Sequence, residues 1–110
     1  MTQIEFNEDE DEDDDFNQLL KENKDKPTFV NFYAEWCGSC KELKPALEKI
    51  CKENNFNLIS INVDDNPEVS EDFRFKGIPY VILFVNEEKV FEFTGNKQDK
   101  LNEAVKLAKK

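Results

Sequence analysis

Histidine is absent from this 110-residue chain, and cysteine and glycine occur only three times each. The missing imidazoles matter first. A closed zinc site needs four ligands, and beyond Cys37 and Cys40 the chain offers no histidine and only Cys51. An odd number of cysteines makes no structural disulfide framework, so the reducing cytosol is the expected compartment and any disulfide is expected to be transient. No apolar run approaches the roughly 20 residues needed to cross a bilayer. The opening Met-Thr-Gln-Ile-Glu-Phe also lacks a basic then apolar leader. A cytoplasmic protein that does not engage a membrane is expected. Repeats and linkers are lacking too, so residues 1–110 read as a single domain with one core.

Basic surface is equally scarce. The formal net charge is −10. Residues 1–15 hold nine acids, Glu5 and the run Glu8 to Asp15, and no base, leaving 16 acids against 15 bases in the remainder. Without a basic face to displace counterions from phosphate, nucleic-acid binding is excluded as an expectation. The charge does permit long-range attraction to a basic partner, which salt weakens. The acidic stretch at about 8–15 reads as a solvated loop, because adjacent like charges repel and bury nothing. Calcium binding is a weaker reading, since the run lacks the glycine and spaced ligands of a calcium loop.

What the chain does have is phenylalanine, ten of them, and a clear alternation of elements. Gln3 to Phe6 reads as a short strand, and Asp15 to Glu22 as a helix with Phe16, Leu19 and Leu20 inward. Thr28 to Tyr33 is apolar on both faces except at Asn31, which predicts a strand in the middle of a sheet covered on both sides. Leu43, Leu47 and Ile50 mark the inner face of a second helix, in which Pro45 must cost one backbone hydrogen bond. Cys51 falls on that helix about 16 Å beyond Cys40, too far to pair with it, and reads as a small buried hydrophobe. Leu58 to Val63 predicts a strand, and Asn66-Pro67 opens a short helix with Val69 and Phe73 inward. Tyr80 to Val85 predicts a central strand and Val90 to Phe93 an edge strand after a turn. A last helix carries Leu101, Ala104, Val105 and Ala108 inward, with Asn96 as its expected cap and Asp99 three residues on.

Chemistry concentrates at Trp36-Cys37-Gly38-Ser39-Cys40. Cysteines at i and i+3 lie on one side of a helical turn, close enough to join or part with little chain movement. A strand leads in and a helix leads out, so Cys37 is expected among the unsatisfied N–H groups of a helix start, where a thiolate is favoured. Two other uses of the spacing stand beside this one: part of a zinc site, or a pair of inert buried thiols. The Gly-Ser dipeptide between the cysteines argues for an exposed turn. Trp36 can likewise be a core aromatic, and Pro79 an ordinary proline at a strand start.

Phe32-Tyr33-Ala34-Glu35-Trp36-Cys37-Gly38-Ser39-Cys40-Lys41 resembles the active-site signature of the thioredoxin family, in which Trp-Cys-Gly-Pro-Cys-Lys is usual. Gly77-Ile78-Pro79 resembles the family's cis-proline loop, and Asp64-Asp65-Asn66-Pro67 and Thr94-Gly95 also fall in place. The resemblance implies an α/β fold of order βαβαβαββα, a central mixed sheet with helices on both faces. It implies a protein-disulfide reductase in which Cys37 attacks and Cys40 resolves the mixed disulfide. Trp36, Gly38, Ser39, Ile78, Pro79, Thr94 and Gly95 would bind substrate, with Pro79 cis and the Ile78 backbone pairing with an extended peptide. No bound cofactor or metal, electrons from a thioredoxin reductase-type donor, disulfide-containing proteins as substrates and a monomer are implied as well. A thiol oxidase or isomerase, or a non-catalytic binding subunit on the same fold, are the alternative readings.

Three positions depart from the family. Asn31 stands where a buried aspartate is usual, and an amide is no base at neutral pH. Ser60 stands where that aspartate's lysine partner is often found, and Ser39 replaces the proline between the cysteines. Asn31 could simply satisfy its hydrogen bonds in a polar pocket. Otherwise resolution is expected to be slower or to run through water, and Asn31→Asp to speed reduction near neutral pH. Ser39 is expected to make the pair modestly less reducing, on the premise that its hydroxyl lies near a sulfur and favours the thiolate.

Overall fold

A computed structural model describes residues 3–6, 15–73 and 77–109. The acidic run lies outside the described residues but for Asp15. The elements are β1 (Gln3–Phe6), α1 (Asp15–Glu22), β2 (Thr28–Tyr33), α2 (Gly38–Asn54), β3 (Asn57–Asn62), α3 (Pro67–Phe73), β4 (Tyr80–Val85), β5 (Glu88–Thr94) and α4 (Gln98–Ala108). The strands form one mixed sheet in the order β1-β3-β2-β4-β5. β1, β3 and β2 run parallel, while β4 is antiparallel to β2 and β5 to β4. The strand that reads as apolar on both faces, β2, is the middle one.

Strand alternation divides the core into two layers. Phe29, Leu58, Val81, Leu83 and Phe93 face α2 and α4, meeting Leu43, Leu47, Cys51, Leu101 and Ala104. Val30, Phe32, Ile59, Ile61, Tyr80 and Ile82 face α1 and α3. Rings fill much of this second layer: Phe16 stands edge-on to Phe6 and Phe73, and Phe32 stacks on Tyr80 at 5.6 Å. Full burial of such a side chain is worth about 1.5–3 kcal/mol, which explains how a domain of this size supports a sheet covered on both sides.

Chain reversals follow local rules. Asn55 ends α2 in the left-handed region at φ 58°, with its N–H donated to the Cys51 carbonyl. Asn86 and Glu87, both at positive φ, make the two-residue turn between β4 and β5. That turn is tighter than the sequence predicts, so β5 begins at Glu88 rather than Val90. The register slips between Leu83 and Phe84, which pair with Phe91 and Lys89 and leave Val90 as an extra, exposed residue in the edge strand. Such a bulge discourages pairing with another chain. α4 departs from expectation at its start. Lys97, not Asn96, is the cap and makes no side-chain cap bond; the Asn96 Oδ1 accepts instead from Gln98 Nε2 at 3.2 Å, while its Nδ2 donates to Glu42 Oε2 of α2 at 3.0 Å.

Candidate active site

β2 ends at Tyr33, and a turn closed by the Cys37 N–H on the Ala34 carbonyl delivers the chain to α2. Cys37 is the N-cap of that helix, at φ −91° and ψ 110°. It is joined to Cys40 as a disulfide with the Cα atoms 5.3 Å apart. The Cys40 N–H donates to Cys37 Sγ at 3.2 Å, so the sulfur occupies the place of a capping oxygen. On reduction, a donor aimed at this atom and the positive end of α2 both stabilise the anionic form. The pair packs with Ala34, and Tyr33, Val63 and Ile78 lean against it.

Opposite the pair, the Ile78–Pro79 peptide is cis, and Cys37 Sγ lies 3.8 Å from the Ile78 carbonyl oxygen. The Pro79 carbonyl accepts the Gly95 N–H at 2.7 Å, and Thr94 pairs with Tyr80, so these residues form one wall. Gly95 sits at φ 96°, which favours glycine. Trp36 is no core residue: it is 71% exposed, and its Nε1–H donates to Asp64 Oδ2 at 2.9 Å. Gly38 and Ser39 are exposed at the start of α2. In the disulfide form the Ser39 hydroxyl makes no hydrogen bond to a described residue. The donor that reaches Cys37 Sγ in this form is the Cys40 N–H. The Asp64 anchor of Trp36 was not singled out from sequence, since 28 residues separate the two.

Asn31 and Ser60 are register partners on neighbouring strands, and Glu5 pairs with Ser60 from the other side. Alternation therefore sets Glu5, Ser60 and Asn31 side by side on the sheet face under α2. Asn31 is 1% exposed, and its Oδ1 is the one buried side-chain polar atom among the described residues with no hydrogen-bond partner. It is thus not satisfied by a polar pocket of protein atoms, and no hydrogen bond ties it to either cysteine. Asn31→Asp is expected to cost stability in a pH-dependent way. Burial disfavours the charged carboxylate and raises its pKa above the unfolded value of about 3.9. Stability relative to the parent is then kept in acid and lost as pH rises, by about 1.4 kcal/mol for each unit of the rise. Urea unfolding of both chains at pH 4 and pH 8 checks this, and a difference that does not grow with pH contradicts it.

Tyr33, on the same face, points its hydroxyl to Glu5, donating to Oε1 at 2.8 Å, and the Lys44 ammonium lies 5.2 Å from its ring centroid. Burial pushes the Tyr33 phenol well up, with the Glu5 hydrogen bond and the nearby charges of Glu5, Glu35 and Asp65 adding to it. Neither Tyr33 nor Lys44 stood out in the sequence, although strand alternation and the i+4 spacing from Cys40 place them. Cys51 is wholly buried, and burial first, then the charge of Glu48, pushes its thiol up to about 12. It is inert at neutral pH. Among the described residues, no group of three or more Cys, Asp or Glu side chains is placed to hold a metal ion, and no helix is long and apolar enough to cross a membrane.

The thioredoxin family model matches residues 8–107. A thioredoxin of Buchnera aphidicola is 46% identical over 77 residues, covering 68% of this chain and 70% of that protein. A bifunctional thioredoxin reductase/thioredoxin of Mycobacterium leprae is 39% identical over 84 residues, 74% of this chain and 18% of that much longer protein. Among solved structures, reduced Schistosoma mansoni thioredoxin pre-protein has a TM-score of 0.85 at 27% identity, covering 98% of this chain and 99% of that one. Likeness in sequence along nearly the whole length, and in fold around a redox-active pair of sulfurs, shows that this chain belongs to the thioredoxin family of protein-disulfide reductases.

Proposed function

We propose that the chain is a cytoplasmic, monomeric electron carrier, a single domain over 1–110 that moves two electrons from a separate reductase to disulfides in other proteins. The observation that carries this reading is Cys37 at the cap of α2 with the Cys40 N–H on its sulfur. In the reduced form, the Cys37 thiolate attacks one sulfur of a substrate disulfide. A Cys37–substrate bond forms, the substrate's own S–S bond breaks, and its second sulfur leaves as a thiolate that takes a proton. Cys40, once deprotonated, attacks Cys37 Sγ, restoring the Cys37–Cys40 disulfide and freeing the other substrate thiolate. The substrate gains two electrons and the pair loses two.

The docking face consists of Trp36, Gly38, Ser39, Ile78, Pro79, Thr94 and Gly95. An exposed indole fixed at its N–H supplies apolar contact, while the Ile78 backbone aligns an extended stretch of substrate as an added strand does. Asn31 and Ser60 mark the proton-handling position that departs from the family. The sulfurs themselves carry the electrons, so no bound cofactor or metal enters the cycle. A reductase-type donor is supported by the Mycobacterium leprae relative, whose name joins a thioredoxin reductase to a thioredoxin. The test is turnover: the reduced chain should cleave an insulin-type disulfide catalytically, with NADPH consumed when a thioredoxin reductase is supplied. Stoichiometric reaction without turnover would instead support a binding subunit.

A further inference from the structure

Resolution requires Cys40 to lose its proton, yet Cys40 is 2% exposed and the buried amide of Asn31 is no acceptor for it at neutral pH. Cys40 helps line a cleft of about 330 Å³ with Tyr33, Ala34, Glu35, Lys41 and Lys44. That volume and the polar side chains on its walls admit water. Its charged walls are Lys41 and Lys44 from α2 and Glu35 from the turn before it. Glu5 of β1 adds its charge through the Tyr33 hydroxyl, and Asp65 after β3 acts on the same phenol. Lys44 is held in this setting by its place over the Tyr33 ring, and it also lines a second cleft of about 210 Å³ with Glu5, Glu48 and Ser60.

Resting on the disulfide-exchange reading above, we propose that the Cys40 proton leaves to water in this cleft, and that Lys44, set by the face of Tyr33, is a positioning residue whose positive charge favours the Cys40 thiolate. In balanced terms, Cys40 S–H gives its proton to cleft water and on to bulk. The Cys40 thiolate attacks Cys37 Sγ, the Cys37–substrate bond breaks, and the electron pair departs on the substrate sulfur, which is then protonated from solvent. Lys44 touches no reacting atom. It acts by charge within the cleft that it and Cys40 both line.

The test follows release of a coloured thiolate when the reduced chain meets an excess of an aromatic disulfide in a stopped-flow instrument. The first release reports attack by Cys37 and the second reports resolution by Cys40. Lys44→Met should slow the second release about three- to tenfold at pH 7 and move its pH profile to higher pH, with the first release unchanged. Lys44→Arg should restore both rate and profile, because it restores the charge. A second release and profile unaltered in Lys44→Met, or both releases slowed alike, overturns the assignment of Lys44 and leaves the exchange mechanism standing. Absence of a second release in the parent chain overturns both.

Discussion

Cys37→Ser is expected to lower catalytic disulfide reduction by a factor on the order of 10³ or more. A serine oxygen in the same place still receives the Cys40 N–H, but an alcohol does not ionise near neutral pH and does not attack a disulfide sulfur. Cys40→Ser should lose turnover too, for a different reason: the first half of the reaction survives and stops at the mixed disulfide. The two variants therefore differ in what accumulates. With Cys40→Ser, mass spectrometry of the intact protein should find substrate joined to Cys37, released by dithiothreitol; with Cys37→Ser it should find none. Retention of more than about a tenth of parent turnover by Cys37→Ser would remove Cys37 from the role of nucleophile.

Phe32→Ala is expected to cost about 3–5 kcal/mol of stability, through lost burial of the ring and the cavity left in its place. Phe32 is fully buried in the middle strand, stacked on Tyr80 and packed on Phe73 with centroids 5.2 Å apart. β3 and β4 flank it, so the hole left behind cannot close by moving an edge. Against a total stability of roughly 5–15 kcal/mol for a domain of this kind, the variant would stand near its unfolding limit. In urea the midpoint should fall with the slope unchanged. Val90→Ala serves as the control: Val90 is the extra residue of the bulged edge, 44% exposed, and its loss should stay within about 0.5 kcal/mol. Equal midpoints for the two variants would mean that the ring layer between the sheet and α1 and α3 is not what holds the domain together.

Elements whose apolar pattern repeats locally were legible in the sequence. β1, α1 and β4 have the bounds that alternation and helical spacing give them, and β2 is central because both of its faces are apolar. The inner stripe of α4 reads off directly, and so does the position of the cysteine pair at a strand-to-helix turn. What escaped depends on residues far apart in the chain. Asn96 has the right residue type for a cap, yet its Nδ2 is drawn to Glu42, 54 residues away, and its Oδ1 accepts from the Gln98 side chain rather than from a backbone N–H. Glu87 at positive φ is an improbable turn residue, tolerated because the hairpin ladder fixes the geometry. Tyr33, Lys44 and Glu5 come together only once the register of β1, β3 and β2 is known, and that register cannot be read from any one segment. The unbonded oxygen of Asn31 is likewise a property of packing.

Cys51 has a further consequence for how this molecule can be watched. Its sulfur is walled in by the core and holds its proton at neutral pH, so electrons shuttling through the mouth of the protein never meet it. An alkylating reagent finds it only when the interior opens, and the pace of that capture measures the breathing of the core without reference to catalysis. One chain thus carries two sulfur chemistries on separate timescales, one keyed to redox state and the other to structural integrity.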